Sequence, residues 1–390
     1  MNRKGVSYDV GRVLMDDNWR PIFDKEVVSR ELGIIKRDLH CNAVRICGLD
    51  IDRLVTASED ALSQGLEVWL SPEMWDKGRD ETVAYIERAA ERSEAVRQRW
   101  PGKLFFSVGS ELTLFSQGMI EGKNVFDRMT RPTFWGDIMA GKHNAPLNGY
   151  LQELCRAARK SFHGPLTYFS APFEVIDWKP FDFVGVDHYR DARIKDSYGQ
   201  MISKYHVLGK PVIVGEFGCC TFRGADLLGA NGFMITFGML EGLLGPDQKF
   251  PKMFTDMAHV APQADGHYIR DEELQARELI DQLEILDAAG VDGAFVFTFV
   301  TPNSPYRPDP RYDTDMANFA LVKSFATAET AAVFRSQTVR RGRDVLGVEL
   351  DPRSLDGFTG PTGQHGVTYP DMPWEPKASF KAVSDYYSNH

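Results

Sequence analysis

The chain has 390 residues, 43% of them hydrophobic and 26% charged, with a formal net charge of −10, ample for a globular protein with a large core. The surplus of acid argues against nucleic acid or an anionic membrane as partner, since both need a basic face. No apolar run reaches the roughly 18 residues of a membrane-crossing helix.

The opening Met1-Asn2-Arg3-Lys4-Gly5 lacks the apolar centre of a signal peptide, so the expected location is the cytoplasm. The first candidate strand, 4–8, runs to Asp9. A helical stretch, 25–39, follows Asp24, a residue suited to an N-cap. The second strand, 42–47, carries Asn42-Ala43-Val44-Arg45-Ile46, and Arg45 is expected to point into the mouth of the fold. Helix 51–64 follows Asp50, and strand 66–71 ends near Glu73 and Trp75. The charge-laced segment 80–99 reads as the next helix.

The fourth strand, 103–109, is the apolar run Leu104-Phe105-Phe106-Ser107-Val108-Gly109, which breaks into Ser110-Glu111. Helix 147–162 and strands 165–169 and 182–187 come next, the last of these leading into His188 and Tyr189; Trp178 lies between the two strands. A helical stretch at about 191–208 precedes the seventh strand, 210–215, within Pro211-Val212-Ile213-Val214-Gly215-Glu216-Phe217-Gly218. Helix 271–289, ending at Gly290, leads to strand 292–299, which finishes in Phe297-Thr298-Phe299. A last helix, Lys377 to Tyr387, closes the chain.

Eight buried-type strands alternating with helices predict an α/β fold, a (β/α)8 TIM barrel in a single domain over 1–390. No G-x-G-x-x-G follows a strand, so no dinucleotide or other cofactor is expected. Three long excursions follow strands 4, 7 and 8, at about 112–146, 218–268 and 300–375; the third includes a helical stretch, 317–341. In a barrel, loops after strands share the C-terminal face, so all three are expected to wall one cleft.

Glu111 and Glu216 would emerge on that same face. A carboxylate at a strand end is costly to bury unless it does chemistry, and two on one rim supply an acid and a base. Arg45 and Tyr189 are placed to support the strand-7 carboxylate. Asp9 and Glu73 are open to two readings, sugar-hydroxyl contacts or caps and salt bridges. His188 reads as a substrate contact or a hydrogen-bonded structural histidine. Trp75 and Trp178 could stack on sugar faces or simply pack. The run Tyr312-Asp313-Thr314-Asp315 lacks the Gly and terminal Glu of a calcium loop, and no metal is expected there. The five cysteines are odd in number and without C-x-x-C spacing, which predicts reduced, buried thiols. Cys219-Cys220, just past Glu216, could make the site sensitive to thiol reagents by proximity, without a part in catalysis.

The order of an N-x-v-R second strand, a strand-4 glutamate, an aromatic at strand 6 and a P-v-x-x-G-E-x-G seventh strand resembles the retaining glycoside hydrolases of clan A, the 4/7 superfamily. The ending Trp374-Glu375-Pro376-Lys377 through Tyr387 is similar to the last helix of many such enzymes. A weaker resemblance is to actinobacterial chains labelled abortive phage infection proteins. The clan resemblance implies a β-glycosidase acting on a carbohydrate without a cofactor, with Glu111 as acid/base, Glu216 as nucleophile and a carboxyl separation of roughly 5–5.5 Å. Ser110 stands where most members have an asparagine that holds the sugar 2-hydroxyl, and Phe299 ends a strand without the clan's frequent subsite tryptophan. Two rival readings remain open: a metal-dependent sugar isomerase with Glu111, Asp187, His188 and Glu216 as ligands, and a non-catalytic carbohydrate-binding or defence-related barrel.

Overall fold

A computed structural model describes residues 1–244, 250–343, 349–351, 353 and 355–390; small parts of the second and third excursions therefore lie outside the described residues. Eight strands, β1 (Arg3–Asp9), β2 (Ala43–Gly48), β3 (Glu67–Pro72), β4 (Leu104–Ser110), β5 (Leu166–Ser170), β6 (Val184–Asp187), β7 (Val212–Phe217) and β8 (Gly293–Val296), close into a barrel. Every pairing around it is parallel, with β8 returning to β1. All eight predicted strands are present, and the predicted TIM barrel is the observed fold.

The helical layer follows the capping signals. Asp24 caps α1 (Lys25–Arg37), and its carboxylate accepts from the amides of Glu26 and Val27. Asp50 does the same for α2 (Ile51–Ser63), where an N-cap of this kind contributes about 1 kcal/mol. The remaining barrel helices are α3 (Arg79–Arg99), α4 (Asn144–Arg159), α5 (Tyr198–Ser203), α6 (Glu272–Ala288) and α7 (Ala378–Asn389). No helix covers the crossover from β5 to β6; residues 171–183 run as turns. The stretch expected as a helix at about 191–208 is shorter, α5 followed by a 3-10 turn at Lys204–Leu208. Helix α7 docks against β1, where the Tyr387 hydroxyl donates to the Gly5 carbonyl at 2.9 Å. Among the described residues no helix is long and apolar enough to cross a membrane.

The expected helix at 317–341 is only partly one. Val322–Ser324 is a strand, paired antiparallel with Trp374–Pro376, and the helix spans Ala328–Arg341. Asn318 interrupts the start of that stretch, its side chain accepting from the Ala320 amide at 2.8 Å, a local bond that competes with helix.

Two packed layers position the mouth. Deep in the lumen Trp69 stacks on Phe105 with ring centroids 4.5 Å apart, among Phe169, Ile213 and Phe295. Phe169 is the top of this plug, and the Arg45 guanidinium lies 3.9 Å above its ring. Gly215 makes that arrangement possible: a Cβ there would strike the Phe169 ring and come within 2.6 Å of Asp187 Oδ1. The walls above are joined to one another. Phe126 of the first excursion packs edge-on against Phe237 and Phe254 of the second, at 5.9 and 5.3 Å. Arg270, just past the end of the second, pairs with Asp313 and Asp315 of the third, and Lys377, at the start of α7, reaches Asp315 at 2.8 Å.

Candidate active site

Strand ends bring the charged residues together. Arg45, fully buried on β2, donates from Nη1 to Asp187 Oδ1 at 3.0 Å and to Glu216 Oε1 at 3.2 Å, and from Nη2 to Glu73 Oε1 at 3.3 Å. Glu216, at the end of β7, accepts from three residues: Arg45 and Arg12 on Oε1, and the Tyr189 hydroxyl on Oε2 at 2.9 Å. That is the hydrogen-bond pattern of an ionised carboxylate. Burial and the negative charge of Glu216 raise the Tyr189 phenol well above its ordinary value, so it remains a donor.

Glu111 differs in surroundings. Part of the residue reaches the surface while its carboxyl is enclosed, and it follows β4 in the left-handed region at φ 45° and ψ 43°. That conformation costs a side-chain-bearing residue roughly 1–2 kcal/mol, and strain of this kind gathers at functional positions. Burial first, then the charges of Asp187, Glu216 and Glu174, push the Glu111 carboxyl well above the ordinary carboxylate range, with Arg45 pulling the other way. One carboxyl is biased to keep its proton while the other is held by donors.

Two members of the site escaped the sequence reading. Arg12, in the loop after β1 and only 3% exposed, donates from Nη2 to Glu216 Oε1 at 2.8 Å and pairs through Nε with Glu73 Oε2 at 2.6 Å. Its guanidinium sits among the rings of Trp19, Trp75 and Phe297. Asp187, named beforehand only as a rival metal ligand, joins Arg45 and accepts from the Ser110 hydroxyl at 2.6 Å. Burial pushes its carboxyl up to about 8, against the pull of Arg45. The alternation of a strand end supplied the missing signal: with Tyr189 facing the mouth, Asp187 faces it too and His188 does not.

Several expected contacts are placed otherwise. His188 is turned into the helical layer, edge-on to Tyr198 at 5.4 Å, and burial lowers it to about 4. Asp9 spends Oδ1 on the amides of Gly11 and Arg12, at 2.7 and 2.9 Å, shaping the turn that delivers Arg12. Glu73 is bound to both arginines, so the salt-bridge reading of Asp9 and Glu73 describes them better than the sugar-contact one. The Ser110 hydroxyl is committed to Asp187. Trp178 lies at the opposite end of the barrel, where Lys210, just ahead of β7, donates to its carbonyl at 2.7 Å. Phe299 is fully buried between β1 and α7, against Tyr8, Trp374 and Phe380, and Phe297 instead faces the mouth beside Tyr189. Trp75 is at the rim, stacked on Phe115 at 4.4 Å. Cys219 and Cys220 are buried, and burial raises both thiols well above their ordinary value, so the expected sensitivity to thiol reagents has no structural basis.

The isomerase reading fares poorly. With His188 turned away and both oxygens of Glu216 taken by Arg12, Arg45 and Tyr189, its four ligands do not converge, and among the described residues no group of three or more His, Cys, Asp or Glu could hold a metal. Asp313 and Asp315 are neutralised by Arg270 and Lys377.

No protein-family model matches the chain, and no curated protein matches it. Solved structures do. A GH113 β-1,4-mannanase superposes over 100% of this chain and 99% of its own, with a TM-score of 0.55 and 13% identity. The GH113 β-mannanase AaManA from Alicyclobacillus acidocaldarius, in complex with ManMIm, gives 0.51 at 12% identity over 99% and 97% of the two chains. A β-glucuronidase from an uncultured Clostridium gives 0.52 at 15%, over 100% of this chain but 51% of its own. At such identities the likeness is one of fold, the (β/α)8 barrel.

Proposed function

We propose that this protein is a retaining glycoside hydrolase that cleaves β-linked glycosides by double displacement. The observation that carries the reading is the contrast between Glu111, whose carboxyl is pushed up, and Glu216, held by Arg12, Arg45 and Tyr189 at the opposite side of one rim. A glycosidase needs two carboxyl groups whose environments differ in this sense.

In the first step a Glu216 oxygen attacks the anomeric carbon as the glycosidic bond breaks, and Glu111 gives its proton to the leaving oxygen. The product is a glycosyl ester on Glu216. In the second step Glu111, now ionised, takes a proton from water, whose oxygen displaces Glu216 from the sugar. Arg12 and Arg45 stabilise Glu216 each time it leaves. No metal or cofactor enters the scheme. Five buried free cysteines accord with a reducing, cytoplasmic setting, and the three excursions with one barrel domain whose loops shape the cleft.

The test is hydrolysis of aryl β-glucoside, galactoside, mannoside, xyloside and fucoside by the wild type and by Glu216→Ala, with and without azide. The expected result is turnover that vanishes in the variant and returns with azide as a glycosyl azide of inverted configuration. Absence of turnover on aryl glycosides and on oligosaccharides, with sugar binding retained, would replace the enzyme by a carbohydrate-binding barrel.

A further inference from the structure

We infer that Glu174, in the connection after β5, is a positioning residue for Glu111: together with Tyr168 it pins the left-handed turn that aims the proposed acid. The inference rests on the glycosidase reading for its meaning, though not for its measurement.

Leaving β4, the chain turns out of the sheet: the Glu111 amide makes the last ladder bond, and the two amides after it need partners elsewhere. Each finds one on the β5 side. Glu111 N–H donates to the Phe169 carbonyl at 2.8 Å, Leu112 N–H to the Tyr168 hydroxyl oxygen at 2.8 Å, and Thr113 N–H to Glu174 Oε1 at 3.0 Å. Glu174 Oε2 also accepts from the Ala171 amide at 2.9 Å and from the Tyr168 hydroxyl at 2.8 Å. The proton positions follow from counting. The Tyr168 oxygen already accepts from an amide, so its own hydrogen goes to Glu174, and Glu174 meets only donors; burial raises its carboxyl, and these donors pull it back toward the ionised form.

Neither residue is open to substrate: Glu174 is 6% exposed and Tyr168 fully buried. A buried carboxylate with three donors, set one turn behind a strained glutamate, is costly unless the geometry it fixes is needed. Its charge acts on the same target. Facing Glu111 are Asp187 from β6, Glu216 from β7, Arg45 from β2 and Glu174 itself; facing Glu174 are Glu111, Tyr168 and, from the turn after α5, Tyr205. Glu174 thus both fixes where the Glu111 carboxyl sits and opposes loss of its proton.

The experiment compares wild type, Glu174→Gln and Tyr168→Phe by two readouts. Titration of the Glu111 carboxyl is followed by carbon-13 NMR of glutamate-labelled protein, the signal identified by its loss in Glu111→Gln. Hydrolysis is measured on aryl glycosides with a phenol and a 2,4-dinitrophenol leaving group. In Glu174→Gln the Glu111 midpoint is expected to fall, and kcat/KM to drop about tenfold more on the phenyl than on the dinitrophenyl glycoside, because only the former needs a placed acid. Equal losses on both substrates with an unmoved titration would reduce Glu174 to a structural residue and overturn the inference. If no glycoside is turned over by the wild type, the glycosidase reading falls, and the titration alone decides whether Glu174 governs Glu111. Should Glu174→Gln fail to fold, Tyr168→Phe, which loses a single hydroxyl and keeps the Glu174 charge, carries the leaving-group readout: a larger loss on the phenyl glycoside is expected, and equal losses on both overturn the inference.

Discussion

Arg12 reaches across the mouth to donate to the same Glu216 oxygen, Oε1, that receives Arg45. Two guanidinium groups, one from the loop after β1 and one from β2, thus converge on one carboxylate oxygen, while Oε2 is left to Tyr189. Removing one partner of a buried ion cluster leaves uncompensated charge, which costs about 3–5 kcal/mol. Arg12→Ala is therefore expected to be destabilised by about that amount, in addition to losing activity, since Glu73 and Glu216 would lose a shared counter-ion. Urea unfolding checks this, and a variant that melts like the wild type would show that Arg12 is not part of the cluster in solution.

Glu111→Ala should separate substrates by leaving group. Loss of a general acid costs about 10²–10⁴ in rate where protonation is needed, so phenyl glycosides should suffer that loss and dinitrophenyl glycosides little in the glycosylation step. Azide should restore turnover with retained configuration, the opposite of the outcome for Glu216→Ala. Equal loss on both substrates would remove Glu111 from the acid role.

The carboxyl cluster fixes the sign of two pH effects. Glu111 must be protonated for the first step, so kcat/KM should fall on an alkaline limb lying above the ordinary carboxylate range, a limb that belongs to the coupled group and not to one residue. Asp187→Asn removes a carboxyl whose ionised form opposes loss of the Glu111 proton and should move that limb to lower pH. Stability follows the same logic: Asp187 is raised to about 8 in the folded chain, so between its unfolded value and that point the folded state binds more protons. Its contribution is complete below the unfolded value and is lost as pH rises through the folded one. Melting temperatures of wild type and Asp187→Asn measured across that window should diverge, with the variant less dependent on pH.

Five carboxyl groups, those of Asp9, Glu73, Glu111, Asp187 and Glu216, gather around two guanidinium groups at the mouth, and each guanidinium already has carboxylate partners. A sugar bearing its own carboxylate would add like charge to a buried site. Aryl β-glucuronides should accordingly have a lower kcat/KM than the matching glucosides. A preference for the glucuronide would show that Arg12 is free to take a substrate carboxylate.

The thiols give the simplest check. All five cysteines are free and buried, and burial raises them. A chromogenic disulfide reagent should leave the native protein untouched and react with five thiols after unfolding, whereas rapid modification with loss of activity would restore Cys219 and Cys220 to the site.

The barrel was legible because its strands are short apolar runs punctuated by Gly and Pro, and its first two helices begin at aspartates that do cap them. Arg45, Tyr189, Glu111 and Glu216 were legible because strand ends on one face of a barrel have a fixed destination. Arg12 was not: it comes from a loop, where no periodicity tells which way a side chain turns, and only the two amides gripped by Asp9 bring it inward. Trp178 and Phe299 misled for a related reason. Each is an aromatic near a strand, but the loop before β6 belongs to the other end of the barrel, and the chain after β8 bends so that Phe297 takes the mouth and Phe299 the core. For His188 the structural alternative describes its place, and strand alternation applied one residue further sets it outside the mouth.

The ties of Phe126 to Phe237 and Phe254, and of Arg270, just past the second excursion, to Asp313 and Asp315, make the rim a linked series and not a set of separate flaps. A cleft bounded in this way holds its width as a single setting, so lengthening or exchanging one excursion alone would unseat its neighbours. Retailoring the cleft for another glycan would have to treat the three as one cassette, leaving the strand-end chemistry beneath as it stands.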